Sequence, residues 1–378
     1  MSQQEAGDVL AQVRAHCPEA LQPQLYEIED AWERKLWHQL TQQLLALYQR
    51  PESLPYQMPL FSHFIGGFKK NINQLKLVTL GLHANAGNET PLPFLTELAD
   101  SVNNSNSQDA YVFAKVELAR VKMLMGDMEE ARLMLDECGK ILDTFDSVET
   151  VIYAAYYRIN ADYHKIEGEY AAYYKSALLH LSCVELDEMP AEEKSVRAYE
   201  LSLAAVLGET TYNFGELLLH PILDALKDTE HSWLRDLLFA MNAGDIAKFD
   251  ALSGHFTKQP LFQQNLAFLR QKICLTSLTE AVFRCPPHAR QLTFDTIASE
   301  TRLVSNEVEI LVMKALSLDL IRGSIDQVGE TVLVNWVQPR VLDRNQIAGM
   351  RDRLVEWNHT VTKLGCWVQK EGKDIWAQ

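Results

Sequence analysis

Apolar residues at Ile347, Met350, Leu354, Trp357, Val361, Leu364 and Val368 advance by alternating steps of three and four, the period of a helix that presents one narrow stripe. Three full heptads predict a terminal helix with a seam for other helices, because a helix folded back onto its own domain usually shows a wider apolar face. Asp343 with Gln346 three residues on reads as an aspartate version of the capping box. Pro339 keeps the residues before it extended, so the start is sharply marked. The end is looser, since Gly365 and Gly372 weaken the helix-forming run.

The same period governs almost everything before about Cys285, which reads as helices in antiparallel pairs. Leu25, Ile28, Trp32, Leu36, Leu40, Leu44 and Leu47 predict one long amphipathic helix ending near a loop from Pro51 to Pro59. A helix from Tyr111 to Met125 stops at Gly126-Asp127, and another follows through Ala131, Leu135, Cys138 and Leu142. This is the plan of a tetratricopeptide-like repeat: an inward alanine lets two helices approach closely and the glycine supplies a left-handed cap. Glycine–acid pairs recur at Gly168-Glu169, Gly208-Glu209 and Gly244-Asp245, at intervals of 42, 40 and 36 residues. The drifting period predicts a degenerate solenoid, an elongated curved rod whose helix pairs bury their faces by stacking. Ser101 to Asp109 and the acidic stretch Glu185 to Glu193 read as solvated loops.

The period changes after Cys285-Pro286-Pro287-His288, a hinge because neither proline continues a helix. Leu292-Thr293-Phe294 is short and β-compatible, Phe294, Ile297 and Ala298 begin a short helix, and Ser305 or Asn306 caps the next. That helix carries Val308, Leu311, Val312, Ala315, Leu316 and Leu320 inward. Ile321 to Ile325 reads as a strand, Asp326 to Glu330 as a wing loop and Val332 to Trp336 as the return strand. The expected fold is mainly α: helical repeats over 1–170, a helical part over 171–285, a winged helix over 286–339, and a terminal bundle helix over 341–378.

With 378 residues and 47% hydrophobic content the chain can bury a large core in two or so domains. Its net charge of -16 repels phosphate backbones and anionic lipid head groups, so neither nucleic acid nor a membrane is an expected partner. The winged helix repeats that bias, with seven acidic residues against four basic ones between Leu292 and Arg340. Glu307 and Glu309 in the first turn of its recognition helix favour the helix dipole and oppose a phosphate contact. Six cysteines without a C-x-x-C pair fit reduced thiols serving as small core hydrophobes. The first eight residues lack a secretory pattern and no apolar run approaches 18 residues, which suits the cytoplasm and nucleus.

Chemistry is absent from the pattern. Eleven histidines include no H-E-x-x-H or H-x-H arrangement, and no nucleophile elbow occurs. Gly66-Gly67-Phe68-Lys69-Lys70 lacks the spacing of a phosphate loop, and His38 and His220, in apolar helical surroundings, read as core or interface residues. No catalytic residue, cofactor, metal or small-molecule substrate is expected.

Helical repeats joined to a winged helix and a terminal helix resemble the PCI module, a scaffold shared by the proteasome lid, the signalosome and a translation initiation factor complex. Lys35-Leu36-Trp37-His38-Gln39-Leu40-Thr41, Tyr173-Tyr174-Lys175-Ser176-Ala177-Leu178, the run from Asn213 to Pro221, Arg290-Gln291-Leu292-Thr293-Phe294, and the stretches from Asn306 to Asp326 and Trp336 to Leu342 look like the lid branch of that family. From Tyr48 to about Asn106 only the helical character matches. The resemblance implies a scaffold subunit of the 19S regulatory particle lid without catalysis of its own, supporting ATP-dependent degradation of ubiquitinated proteins. It implies a neighbouring PCI subunit packed edge to edge on the winged helix, and a terminal helix entering the lid's helical bundle. The inactive MPN-domain partner of the deubiquitinase and, near the outer end of the rod, the ubiquitin-receptor subunit complete its implied neighbours. On the residues themselves, strand Val332, Val334 and Trp336 or the wing could extend a neighbour's sheet, which needs no basic surface. A scaffold of a sister PCI complex shares these features, and a winged-helix nucleic-acid regulator would need a basic face.

Overall fold

Helical spacing becomes helix almost throughout the computed structural model, which describes residues 3–18, 21–85, 91–104, 107–145, 149–227, 229–285, 290–339 and 344–372. Two compact units, Met1–Glu188 and Met189–Gln378, divide the chain. Pro286 to His288 of the expected hinge and Asp343 of the capping box lie outside the described residues.

In the first unit, α1 (Gln3–His16), α2 (Gln22–Glu33), α3 (Trp37–Tyr48) and α4 (Leu54–Pro59) precede α5 (Gln74–Asn85) and α6 (Pro91–Val102). The expected single helix through Leu25 to Leu47 is broken in two. Lys35 adopts a left-handed φ of 57°, its N–H bonds Trp32 O at 3.0 Å, and the Leu36 N–H reaches back to Ala31 O at 2.9 Å. This is the double closure of a Schellman turn made without glycine. The apolar period runs across the break because both helices bury onto one core. Trp32 and Trp37 flank the turn and meet Phe64 and Phe68 with centroids 4.9–5.5 Å apart.

Those phenylalanines lie just beyond the stretch expected as a loop, Pro51 to Pro59, which is itself helical. Pro51 and Pro55 stand in the first turns of short helical segments, where a missing N–H costs nothing, and Pro59 closes α4 before a π turn over Leu60–Phe64. Prolines at four-residue spacing thus cut a helical run into pieces while Ser53, Gln57 and Leu60 stay buried.

α7 (Gln108–Met125) with α8 (Met128–Leu142), and α9 (Thr150–Glu167) with α10 (Tyr170–Cys183), form the two expected hairpins. Gly126 and Gly168 sit at φ 93° and 77°, and Ala131, Leu135, Cys138 and Leu142 are all buried. The solvated loop expected over 101–109 is shorter, since α6 runs to Val102 and α7 begins at Gln108. α10 belongs to this unit rather than to the next module. It packs along α9, joined by Asn160 Nδ2 to Ser176 Oγ at 3.0 Å and by the His180 ring to Ala154 O at 3.0 Å.

The second unit holds α11 (Ala191–Leu207), α12 (Gly215–Leu219), α13 (Ser232–Ala243), α14 (Ile246–Leu252), α15 (Pro260–Gln264) and α16 (Leu266–Arg284). Gly244 again takes the left-handed cap, at φ 66°, but Gly208 does not, with φ -61° and ψ 124°. The cause lies at the end of α11. Ser202 to Leu207 are buried without interruption, so the last carbonyls of the helix cannot reach water. Gly208 N–H takes Ala204 O at 2.8 Å. Lys272 of α16, wholly buried, donates to Ala205 O and Val206 O at 2.9 Å and to Gly208 O at 2.6 Å. Its Nζ also faces the rings of Tyr212, Phe214 and Phe268 at 5.3–5.7 Å. Burial draws the ammonium down to about 7.

On α16 rest α17 (Phe294–Thr301), α18 (Ser305–Ser317) and the sheet of β1 (Gln291–Thr293), β2 (Ile321–Asp326) and β3 (Thr331–Val337), in the order β1-β3-β2. Val308, Leu311, Val312 and Ala315 face inward as expected, with Leu316 half-buried. This is a winged helix, and α19 (Arg344–Glu371) follows it.

Lys272→Met keeps the apolar stem but leaves three buried carbonyls without a donor, an expected loss of about 1–3 kcal/mol. Lys272→Ala loses in addition about 0.8 kcal/mol per buried methylene. Urea unfolding followed by far-UV circular dichroism reads both, and an unchanged Met variant would show that relief of a buried charge cancels the three bonds. An unfolded lysine keeps its proton up to about 10.5 whereas the folded one releases it near 7. Stability therefore rises with pH across that window in the wild type, and Lys272→Met lacks this slope.

Candidate assembly surfaces

Alternation along β3 puts Val332 and Val334 into the core, at 2% and 3% exposure, and Leu333 outside at 46%. β3 is also the central strand: Leu292 of β1 opposes Val332 on one side and Ile325 of β2 opposes it on the other. Val332 and Val334 therefore cannot extend a neighbour's sheet, because their backbone groups already belong to the ladder. Trp336 is half-buried beneath Arg322, whose guanidinium lies 4.5 Å from the ring centroid while it grips Asp319 in a two-bond fork at 2.7 and 2.8 Å. Both edge strands, β1 and β2, pair only with β3, and β2 is the longer of the two and leads into the wing. A bulge between Arg322 and Gly323 shapes β2, and a Cβ on Gly323 would fall 2.0 Å from Leu333 O. At the tip of the wing Val328 is 99% exposed.

The outward face of α18 shows Val304 just before it, then Glu307, Ile310 and Met313, the three apolar ones at 48–67% exposure. Gln327 of the wing donates to Glu309 Oε2 at 3.2 Å, tying wing to helix. A helix that reads a DNA groove would carry cations here. Ile310 and Met313 were legible as a pair three apart on the side opposite Val308 and Leu311.

α19 carries the larger surface. Over its 28 residues the seam side chains Ile347, Met350, Leu354, Trp357, Val361, Leu364 and Val368 are all exposed, at 42–66%. Gly365 leaves the helix unbroken, and Gly372 ends it with its N–H on Val368 O. Val355 and Trp367, at 62% and 59% exposure, widen the stripe beyond the heptad positions. A helix roughly 42 Å long with this many bare apolar side chains is an exposed apolar surface of the kind that marks a protein contact. Each large side chain contributes about 1.5–3 kcal/mol when fully covered, before the costs of ordering and association.

Of the cysteines, Cys138 and Cys274 are buried as expected, with the Cys138 thiol pushed up to about 12 by burial, but Cys366 lies exposed on α19. The two histidines read as core or interface divide as well. The His220 ring accepts the Ile222 N–H at 3.3 Å, while His38 is exposed.

Helical repeats, a winged helix and an unburied amphipathic helix in that order define a PCI-domain scaffold. The family described as PSD13 N-terminal repeats matches residues 24–238, the PCI domain matches 246–336, and the Rpn9 C-terminal helix matches 340–372. The probable 26S proteasome regulatory subunit rpn9 of Schizosaccharomyces pombe is 45% identical over 98% of this chain and 97% of its own. The 26S proteasome regulatory subunit RPN9 of Saccharomyces cerevisiae is 37% identical over 99% of each chain. The 26S proteasome non-ATPase regulatory subunit 13 of Dictyostelium discoideum is 36% identical over 89% of this chain and 90% of its own. The chain belongs to this Rpn9, or non-ATPase regulatory subunit 13, family.

Gly323→Ala forces the β2–β3 ladder apart at the bulge and is expected to lower the thermal midpoint of the second unit by several degrees, while Ser324→Ala on the same strand leaves it within about a degree. Differential scanning calorimetry of the two variants checks this.

Proposed function

We propose that this chain is a non-catalytic scaffold subunit of the lid of the 26S proteasome regulatory particle, acting in the cytoplasm and nucleus in the degradation of ubiquitinated proteins. The observation that carries the reading is α19, whose complete apolar seam is left bare by its own domain. Lid helices in a bundle are its partners. The winged helix meets a neighbouring PCI subunit through the open edge of β2 and the wing, where main-chain hydrogen bonds serve without a basic surface. The inactive MPN-domain subunit and the ubiquitin-receptor subunit are further neighbours. Nucleic acid, membrane and small-molecule substrates are outside this role: an acidic chain and an apolar recognition-helix face suit protein contacts.

Deleting residues 341–378 is expected to leave a folded chain that no longer joins the lid. Leu354→Asp with Trp357→Asp, which puts two charges into the seam, is expected to do the same without shortening the chain. Affinity purification of the tagged variants from their own cells, with mass spectrometry of co-purifying subunits and an assay of ubiquitin-dependent proteolysis, reads the result. Normal incorporation of either variant would refute the reading.

A further inference from the structure

A cleft of about 650 Å³ opens in the first unit between the α2–α3 turn and the residues leading into α5. Its polar lining is rich in donors: the ammonium groups of Lys35 and Lys76, the ring of His38, and the side-chain amides of Gln39, Asn71 and Asn73, while the Thr41 hydroxyl is spent on Trp37 O. The Asn73 carbonyl oxygen already accepts the Leu75 N–H at 2.9 Å, so its NH2 is the part left to offer. Among the described residues no carboxylate lines this cleft. By contrast, the cleft beside α16 and α18 sets Arg270 and Arg302 against Asp250 and Glu307, and the one over α5 to α7 pairs Arg120 with Glu117.

The two lysines line the cleft without being neutralised. Lys35 is fixed by its left-handed backbone and the paired bonds of the Schellman turn, and Trp37 beside it stacks on Phe68 with centroids 5.5 Å apart. Among the described residues neither Lys35 nor Lys76 forms an ion pair, although the chain carries 51 acidic residues against 35 lysines and arginines. α3 begins in the same wall at Leu36, with no side-chain cap on its first N–H groups, which adds the partial positive charge of a helix start. Leu36 and Ile72 supply an apolar strip between the donors.

We propose that this cleft binds an acidic peptide segment, a few residues carrying two or three carboxylates, presented by a protein partner. Convergent donors and two uncompensated ammonium groups suit carboxylates, and the apolar strip takes a side chain between them. A long polyanion fits less well, because a net charge of -16 repels it everywhere beyond the cleft.

The test is fluorescence anisotropy of a labelled Asp/Glu-rich peptide titrated with the full chain, beside a Gly/Ser peptide of equal length. Three proteins are compared: wild type, Lys35→Glu/Lys76→Glu, and Lys140→Glu/Lys175→Glu, which changes net charge equally at two exposed sites elsewhere. The acidic peptide is expected to bind wild type and to weaken roughly tenfold in the cleft variant but less than about twofold in the matched control. Circular dichroism verifies folding. Should the cleft variant fail to fold, Lys35→Gln/Lys76→Gln replaces it, with a smaller loss of binding confined to this pair. No binding by wild type, equal weakening in both variants, equal binding of the Gly/Ser peptide, or displacement by a single-stranded RNA of the same length would overturn the proposal.

Discussion

The buried end of α11 can be satisfied only from within the protein, and Lys272 is what satisfies it. A helix whose last two turns are buried on every side brings its terminal carbonyls into a medium where each unpaired one is costly. One ammonium reaching the carbonyls of Ala205, Val206 and Gly208 resolves this, and in doing so fixes α16 against α11 in register as well as in distance. α17, α18 and β3 all pack on α16. The placement of the winged helix in its unit thus rests on α16, which Lys272 ties to the end of α11 and which also packs on α13 and α14. The contact is expensive, as the depressed ammonium shows, and it needs all three acceptors to offset desolvation.

Two kinds of surface follow from the frame. The winged helix consumes the backbone of β3 in its own sheet, so its capacity for main-chain pairing moves to its edge strands and the wing. α19 is complete as a helix, bare as a surface, and stabilised by its own backbone bonds with local side-chain bonds such as Thr360 and Thr362 to the carbonyls four residues back. A chain that leaves its apolar seam exposed gives up intramolecular stability in exchange for an interface, which is the arrangement of a component built for assembly.

The first unit shows how local chemistry bends a periodic sequence. Lys35 in the left-handed region and prolines at 51, 55 and 59 interrupt helices while the apolar period continues, so the segments fold over one another around Trp32, Trp37, Phe64 and Phe68. The cationic cleft is a product of that break, since it brings residues 35–39 beside 71–76.

By itself the sequence determined the helical character of most of the chain, though not the break at Lys35, together with the hairpins at Gly126 and Gly168, the order of elements in the winged helix, and the apolar period of α19. These depend on side-chain periodicity and on glycine's tolerance of positive φ, which are local properties. Only the tertiary structure decided that β3 lies between β1 and β2, because strand order depends on which backbones meet and not on their patterns. It decided as well that Gly208 ends α11 without a left-handed turn, since that outcome rests on Lys272, 64 residues away. And it decided that Lys35 and Lys76 share a cleft, a fact carried by the path of the chain between them and by no periodicity within it.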